Sequence, residues 1–328
     1  MIKNNTQKYL VIGLLMVAIL FPLFTQNNYY IHVMTLSFIW MIAVYGLNIL
    51  AGYTGYLSLA HAGFFAIGAY ALGLLTVKAE VGFWLALILA PIITTIIGFG
   101  IGLIALRTKE HFFAIYTLCV GYVIYLLIDK WDSLTEGVRG LMGIPLPSDI
   151  GPISFESNIA QYYFILIVLL FSIFVIYRIV NSIVGKKLIA IRNSEQLALS
   201  LGISTKKNKL LAFVLSTFFA GLAGALYASF IRFLGPDIGS TNITFDLLMY
   251  LIVGGIGTLS GPIIGTLLVV WLSQNLQFLQ DYRMLIFGPL LALLIIFSPR
   301  GIVGMFSSMK QSIKEKRNLR QKELKNEA

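Results

Sequence analysis

The sequence predicts an all-α polytopic membrane protein, a bundle of about eight to ten transmembrane helices. Of its 328 residues, 58% are hydrophobic and only 12% are charged, whereas about 25% of the residues of a soluble domain are charged. The apolar residues form runs of roughly 17–25, the length that crosses about 30 Å of hydrocarbon as a helix. Helices are favoured because an open strand would leave backbone amides unpaired in lipid. The runs also lack the alternation that is typical of a transmembrane barrel.

Nine apolar runs are candidate spans. The first run resembles a secretory signal, but Leu23 to Gln26 offers no cleavage site between small residues, so we expect a retained helix. The eighth run contains the glycine-rich segment from Gly254 to Pro262, and both glycine and proline weaken a helix. The nine candidate spans are Tyr9–Thr25, Tyr30–Leu50, Tyr56–Val77, Gly82–Leu106, Phe112–Ile128, Gln161–Tyr177, Leu210–Phe230, Phe245–Leu272 and Met284–Phe297.

Three charged stretches indicate the orientation in the membrane. Residues 181–209 carry six basic residues against one glutamate, and residues 300–328 carry eight basic residues against three glutamates, so each stretch has a net charge of +5. Residues 129–160 carry two basic and five acidic residues, a net charge of −3. The positive-inside rule therefore places the first two stretches and both termini in the cytoplasm and the third stretch outside. A basic stretch can also bind nucleic acid, but we expect no such partner for one that lies between membrane spans.

The basic carboxyl-terminal stretch conflicts with a simple count of nine crossings, which would place it outside. The conflict disappears if the run 245–272 enters the membrane, breaks at its glycines and returns to the side from which it came. Non-helical backbone at this depth needs protein or water around it, so we expect the break to lie beside a pathway. We predict a permease domain over 1–299, with the cytoplasmic loop 181–209 inside it, and a basic cytoplasmic tail over 300–328.

A second segment rich in small residues begins near Gly52 and contains two polar side chains, Ser58 and His61. Its small residues recur every three or four positions, which gives a smooth face for close helix packing. Packing and a role in lining a pathway both remain open for this segment and for the glycine-rich break. The candidate pathway residues are Ser58, His61, Gly254, Gly257 and Thr258.

The sequence lacks the motifs of the common enzyme classes. The nearest approach to a nucleotide-binding loop, Gly185-Lys186-Lys187, lacks the preceding glycine, and there is no HExxH, CxxC or GxSxG. The one cysteine, Cys119, excludes a disulfide within the chain and a thiolate zinc cluster. We therefore expect no enzymatic activity, cofactor or metal, and transport is the remaining activity.

The energy source for transport is predicted to lie in a partner. Asp246 is the only plausible acidic residue in the spans, whereas ion-coupled carriers usually need ionisable groups there. An autonomous ion-coupled carrier and a membrane scaffold remain as alternatives. The partner should dock on the cytoplasmic face, where residues 185–202 have the pattern of a short amphipathic helix with Ser194 as a possible cap. That helix could instead rest on the lipid headgroups.

Four patches of the sequence resemble the membrane permeases of branched-chain amino acid ABC importers, and specifically their M-type subunit. The resemblance covers roughly residues 50–265. It is carried by Ala51–Phe65, by Tyr116–Leu118 with Ser133–Gly137 and Gly140–Pro145, by Ala190–Glu195 with Leu201–Ile203 and Lys209–Phe213, and by Gly254–Thr258 with Gly261–Pro262.

The resemblance implies a permease subunit of a bacterial plasma-membrane importer for branched-chain or other small amino acids. Its partners would be a second homologous permease, two ATPase subunits that hydrolyse ATP, an extracytoplasmic substrate-binding protein and the membrane lipid. Closely similar permeases carry urea, short amides or nucleosides, which are alternative cargoes. Arg192, Glu195 and Gly202 match the motif that couples such permeases to their ATPases, and Ala198 lies at helical spacing among them.

Overall fold

A computed structural model describes residues 18–25, 27–108, 110–152, 154–275, 301–302 and 304. Within these residues eleven α-helices and one two-stranded ribbon form, with a helical turn at 18–24 before them. In chain order the helices are α1 Asn28–Leu47, α2 His61–Val77, α3 Phe83–Ala105, α4 Glu110–Lys130, α5 Asp132–Thr135, α6 Asn158–Val180, α7 Ile183–Asn193, α8 Glu195–Ser200, α9 Thr205–Ile231, α10 Thr241–Gly254 and α11 Gly261–Asn275. The strands are β1 Leu141–Met142 and β2 Phe233–Leu234.

The prediction of an all-α polytopic bundle is confirmed at the level of fold class. Five described helices are long and apolar enough to cross a membrane, namely Asn28–Gly52, Phe83–Ala105, Phe112–Lys130, Asn158–Val180 and Thr205–Ile231. Helices α2, α10 and α11 are apolar but shorter. The predicted span Met284–Phe297, most of the span Tyr9–Thr25 and nearly all of the tail 300–328 lie outside the described residues.

The predicted span Tyr56–Val77 begins too early. Helix α2 starts only at His61, and residues 55–60 are non-helical. Gly55 takes a φ of +81°, a conformation that favours glycine and ends the preceding helical turn. Before it, α1 continues into a π-helical segment at Asn48–Gly52. Tyr56 therefore belongs to a loop, in which Tyr56 and Ala60 are buried without being helical.

The centre of the bundle is α1, which is almost wholly buried and packs against α6, α9 and α11. Tyr45 in α1 and Asn48, the first residue of the π-helical segment, are inaccessible to solvent. Helix α9 packs closely against α2 and α3 through small residues. A Cβ atom at Gly68 would overlap the backbone of Gly221, and one at Gly224 would overlap the carbonyl oxygen of Phe65. Such close approach of backbones is the usual mode of helix packing in lipid.

The bundle has two chemically different ends. At one end, which we call the acidic end, β1 pairs antiparallel with β2, so the segments 129–160 and 232–243 meet there. Lys78, just after α2, makes an ion pair with Glu136 at 2.7 Å at this end. At the other end, which we call the basic end, residues 52–60 approach α7 and α8. The segments 129–160 and 232–243 thus lie at one end of the bundle, and α7 and α8 lie at the other.

The packing of α9 generates a stability prediction. Gly224→Ala should lower the unfolding temperature because the added methyl group overlaps the Phe65 carbonyl oxygen. The matched control is Gly100→Ala in α3, where a Cβ atom meets nothing within 4 Å. That control should be neutral or more stable by about 0.5–1 kcal/mol, since alanine is the better helix former. Thermal unfolding in detergent measures both variants. Equal effects of the two substitutions would contradict the packing described here.

Candidate functional site

Two non-helical segments lie inside the bundle and approach each other at its basic end. We call residues 55–60 the first break and residues 255–260 the second break. The second break separates α10 from α11. Non-helical backbone in a membrane protein must find hydrogen-bond partners within the protein or in water. The side chains that supply these bonds identify the candidate site.

The second break is held by Asn48, which projects from the π-helical segment after α1. The Gly257 amide donates to Asn48 Oδ1 at 2.8 Å, and Asn48 Nδ2 donates to the Thr258 carbonyl oxygen at 2.8 Å. The Tyr45 hydroxyl donates to the next carbonyl oxygen, that of Leu259, at 2.6 Å. Tyr45 and Asn48, one helical turn apart, thus supply hydrogen-bond partners to the backbone of three consecutive residues of the break. π-Helical segments are rare and occur frequently at functional sites.

Local sequence explains why the chain turns between α10 and α11. Gly255 and Gly257 take φ values of +125° and +76°, which other residues rarely adopt. The Thr258 hydroxyl accepts a hydrogen bond from the Gly261 amide at 3.0 Å, so it satisfies a donor at the start of α11. Glycines also let the two helices pack closely, since a Cβ atom at Gly254 would overlap Gly261. Any side chain at Gly257 would be both strained and blocked.

Arg192, from α7, contacts both breaks. Its Nη1 donates to the carbonyl oxygen of Gly52 at 2.6 Å. Its guanidinium occupies the space that a Cβ atom at Gly257 would need, and its side-chain carbons face Gly55. Charged donors make hydrogen bonds about twice as strong as neutral ones. Arg192 therefore connects α7 to Gly52, at the end of the π-helical segment that follows α1, and to Gly257 in the second break.

Glu195, Lys209 and Tyr56 form a second connection at the basic end. Lys209 Nζ lies 2.5 Å from Glu195 Oε1 and donates to the Tyr56 hydroxyl at 2.7 Å. The Tyr56 hydroxyl donates to Glu195 Oε2 at 2.8 Å, and the Lys209 ammonium lies 4.2 Å from the centre of the Tyr56 ring. The Lys209 side chain is only 5% exposed, so its charge depends on these partners.

The charge state of Glu195 follows from its surroundings. Burial by itself would raise the pKa of the Glu195 carboxyl, but hydrogen bonds from Lys209 and Tyr56 and the Lys209 charge together hold the pKa below its ordinary value of 4.5. The carboxylate is therefore ionised at neutral pH. A group with a lowered pKa contributes stability above its ordinary pKa and loses it as the pH falls through the lowered value. The Glu195–Lys209 pair is thus lost only in acid, below the ordinary glutamate range.

The amphipathic helix expected over 185–202 is two helices in the structure. Ser194 takes an extended conformation between α7 and α8, and its hydroxyl accepts from the Leu197 amide at 3.2 Å. Ser194 is thus the N-cap of α8, and the expectation of one continuous helix is wrong because this cap interrupts it. Of the residues at helical spacing in this stretch, Leu188, Ile191 and Ala198 are buried, whereas Glu195 is half-buried and Gly202 is exposed. We call residues 183–202 the coupling segment.

Gly202 ends the coupling segment. It takes a φ of +77°, and its amide donates to the Leu199 carbonyl oxygen at 2.9 Å, while the Ile203 amide donates to the Ala198 carbonyl oxygen at 3.0 Å. This is the usual termination of a helix by glycine. A Cβ atom at Gly202 would meet nothing within 4 Å, so the glycine is required by its φ and not by crowding.

Ser58 and His61 lie in and just after the first break, and both are buried. The ring nitrogen Nε2 of His61 lies 2.9 Å from the Ala43 carbonyl oxygen, which is the contact that the packing interpretation expects. The backbone of the break is bonded by threonines from other helices. The Leu59 amide donates to Thr117 Oγ1 at 3.0 Å, and the Thr244 hydroxyl lies 3.4 Å from the Leu59 carbonyl oxygen.

The sequence reasoning missed the residues that organise this site. Asn48 is the clearest omission, because a carboxamide inside an apolar run is costly and usually has a partner or a function. Lys209 belongs to a basic stretch and Tyr56 to the start of a predicted span, and both lie in patches that resemble the permease family, but the sequence gives neither of them a role. No pattern in the sequence pairs either residue with Glu195. The carboxamide, in contrast, was visible as a polar interruption of the second run.

Comparison with known proteins gives the family. Residues 29–297 match the family described as "Branched-chain amino acid transport system / permease component". The chain is 30% identical, over 91% of its length and 75% of the relative's, to the high-affinity branched-chain amino acid transport system permease protein LivM of Escherichia coli K12. It is 24% identical, over 82% of its length and 92% of the relative's, to the permease protein LivH of the same transport system and strain.

A third relative comes from another organism. The probable branched-chain amino acid transport permease protein LivM of Methanocaldococcus jannaschii is 24% identical over 66% of this chain and 68% of its own length. No solved structure matches the chain. The family match covers both breaks, the coupling segment and every described transmembrane helix apart from the first residue of α1. This chain therefore belongs to the permease components of branched-chain amino acid transport systems.

Proposed function

We propose that the chain is one permease subunit of an ATP-driven importer for branched-chain amino acids in the bacterial plasma membrane. The observation that carries the proposal is the family match together with a coupling segment that is bonded to Tyr56 of the first break and packs against Gly257 of the second. The similarity to LivM and to LivH supports a pair of homologous permeases that enclose one pathway. Two ATPase subunits would hydrolyse ATP at the basic end, and a substrate-binding protein would deliver cargo at the acidic end.

Uptake of labelled leucine tests the proposed cargo. Cells that express the chain with its partner permease, ATPases and binding protein should accumulate leucine, and unlabelled isoleucine or valine should compete. The control is the same set of subunits without this chain. Competition by urea, short amides or nucleosides, with none by branched-chain amino acids, would overturn the proposed cargo while leaving the architecture in place.

The proposed topology places the basic end in the cytoplasm, together with residues 181–209 and 300–328. Two contacts and the lengths of two helices support it. A Cβ atom at Gly301 would overlap Gly255, so the start of the tail lies at the basic end. The Tyr29 hydroxyl lies 3.4 Å from Gln274 Oε1, so α11 ends beside the start of α1. Helices of 14 and 15 residues span only about 21–23 Å, which supports a hairpin that returns to the acidic end.

The proposed pathway runs beside the two breaks, and its candidate residues are Ser58, His61, Gly254, Gly257 and Thr258. The breaks support this because non-helical backbone within a membrane is found where it lines a cavity or is covered by protein. Thr258 and Gly257 are partly accessible, whereas Ser58 and His61 are buried in this conformation. The pathway would open on the side of the second break when the coupling segment moves. We place the permease domain at 1–299 and regard 300–328 as its tail.

Cysteine accessibility tests both the topology and the pathway. In a Cys119→Ala background, Asn193→Cys should react with an impermeant thiol reagent only from inside, and Ser148→Cys only from outside, since both positions are exposed. Thr258→Cys should react faster during turnover than at rest. Phe171→Cys in α6, whose exposed side chain faces lipid, is the control that should stay unreactive. Labelling of Asn193→Cys from outside in intact cells would refute the topology, and a Thr258→Cys that never reacts would refute the pathway.

The coupling segment is proposed to transmit the movement of the ATPases, with Arg192, Glu195, Ala198 and Gly202 as its principal residues. Arg192 contacts the breaks directly, and Glu195 joins α8 to Lys209 of α9 and Tyr56 of the first break. Ala198 is buried and fixes α8 against the bundle, while Gly202 allows the chain to turn toward α9. A displacement of α7 and α8 would thus change the hydrogen bonds of both breaks.

Glu195→Gln provides the sharpest test of the coupling proposal. The substitution keeps the shape of the side chain but leaves the buried Lys209 ammonium without its carboxylate, at a cost of about 1–3 kcal/mol. We expect leucine uptake and the ATPase activity stimulated by the binding protein to fall at least about tenfold, which corresponds to roughly 1.4 kcal/mol. Leucine binding by the external protein should be unchanged.

The matched control for this substitution is Gln196→Ala, at the neighbouring exposed position of α8. It should leave uptake and stimulated ATPase activity unchanged. Normal uptake by Glu195→Gln would exclude the proposed role of the ion pair. A lower abundance of the Glu195→Gln protein in the membrane would also reduce uptake, so uptake is normalised to the abundance of each variant.

A further inference from the structure

A basic cavity lies where the end of α3 meets the start of α9. Its volume is about 340 Å³, and Gly102 allows the close approach of the two helices that forms it, since a Cβ atom there would lie 2.8 Å from the Phe213 ring. The wall contains three basic side chains and an apolar part. The lining residues are Gly102, Leu103, Leu106, Arg107, Lys206, Lys207 and Leu210.

The three cations of this cavity have no carboxylate partner among the side chains that the structure describes. The ion pairs found there are Lys78–Glu136, Lys130–Asp129 and Lys209–Glu195. Arg107, Lys206 and Lys207 are exposed, and three positive charges that converge on one cavity repel each other. An anionic ligand would remove this repulsion.

Helix stability does not account for the two lysines. Lys206 and Lys207 lie in the first turn of α9, which carries no acidic residue. Cations are disfavoured at this end of a helix because the macrodipole is positive there. The positive-inside rule accounts for the sign of the charge at this end of the bundle. It does not account for the convergence of three cations from two helices around one cavity with an apolar wall.

The apolar part of the wall identifies the class of ligand. Leu103, which is 47% exposed, belongs to the face of α3 that carries the exposed apolar side chains Ile92, Ile96 and Phe99. That face has no partner among the described residues and has the composition of a surface in contact with lipid. A ligand with an acyl chain along Leu103 and Leu106 would place its headgroup among Arg107, Lys206 and Lys207. Basic pockets between transmembrane helices bind anionic lipid headgroups in this way.

We propose that this cavity binds an anionic phospholipid, with the headgroup phosphate on Arg107, Lys206 and Lys207 and an acyl chain against the leucines of α3. The site lies beside Lys209, the neighbour of the coupling segment. A bound lipid would therefore neutralise charge next to the Glu195–Lys209 pair. The proposal goes beyond the transport function and holds whatever the cargo is.

The test is native mass spectrometry of the full chain after reconstitution in equal amounts of phosphatidylglycerol and phosphatidylcholine. The wild type should retain phosphatidylglycerol preferentially. The triple variant Arg107→Gln, Lys206→Gln, Lys207→Gln should lower the ratio of retained phosphatidylglycerol to phosphatidylcholine at least about tenfold, since each basic residue near an anionic membrane surface contributes roughly fivefold. In parallel, inorganic phosphate replaces the lipid, and the phosphate that the wild type and the triple variant retain is measured.

The matched control is Arg178→Gln, Lys186→Gln, Lys187→Gln, which removes the same charge from exposed positions outside the cavity. It should keep the wild-type ratio. An unchanged ratio in the cavity variant overturns the proposal. An equal fall in the control also overturns it, because the preference would then come from diffuse charge. Binding of inorganic phosphate that displaces phosphatidylglycerol would assign a free-anion site and overturn the lipid assignment.

Discussion

The backbone amides and carbonyl oxygens of the two breaks need hydrogen-bond partners, and the rest of the structure depends on this constraint. Residues 55–60 and 255–260 lack the internal hydrogen bonds of a helix, and each buried backbone group without a partner costs about 1–3 kcal/mol. Asn48 supplies an acceptor and a donor to the second break, and Arg192 supplies a donor beside the first. The burial of α1, its change to a π-helical segment and the position of α7 all follow from placing these two side chains.

The same contacts connect the surface of the protein to its interior. Arg192 lies on α7 and reaches Gly52 and Gly257, so a shift of α7 cannot leave the breaks unchanged. Ser194 is an extended residue that separates α7 from α8 within the coupling segment. Glu195, the first residue of α8, is bonded to Lys209 of α9 and to Tyr56. A partner that moves either short helix would act on hydrogen bonds of high strength, which is the physical requirement for transmitting a docking event to a pathway.

The sequence predicted the features that depend on the composition and spacing of residues along the chain. Run length predicted the apolar helices because lipid thickness sets a minimum number of residues. Glycine content predicted a weak point between Gly254 and Pro262, and residues 255–260 are non-helical. Two errors were local: α2 starts at His61 because of the conformation of Gly55, and Ser194, which the sequence offered as a possible cap, divides the expected single helix into two. The partnership of Asn48 with the second break was missed because it joins residues about 210 positions apart.

Three lysines near the start of α9 have different surroundings because they point in different directions from the helix. Lys206, Lys207 and Lys209 lie within four positions, yet a helix turns 100° per residue and separates their directions. Lys209 points into the bundle, where Glu195 and Tyr56 bond it and only 5% of its side chain is exposed. Lys206 and Lys207 line the cavity beside α3. One short basic run therefore meets a half-buried carboxylate on one face of the helix and an open cavity on another.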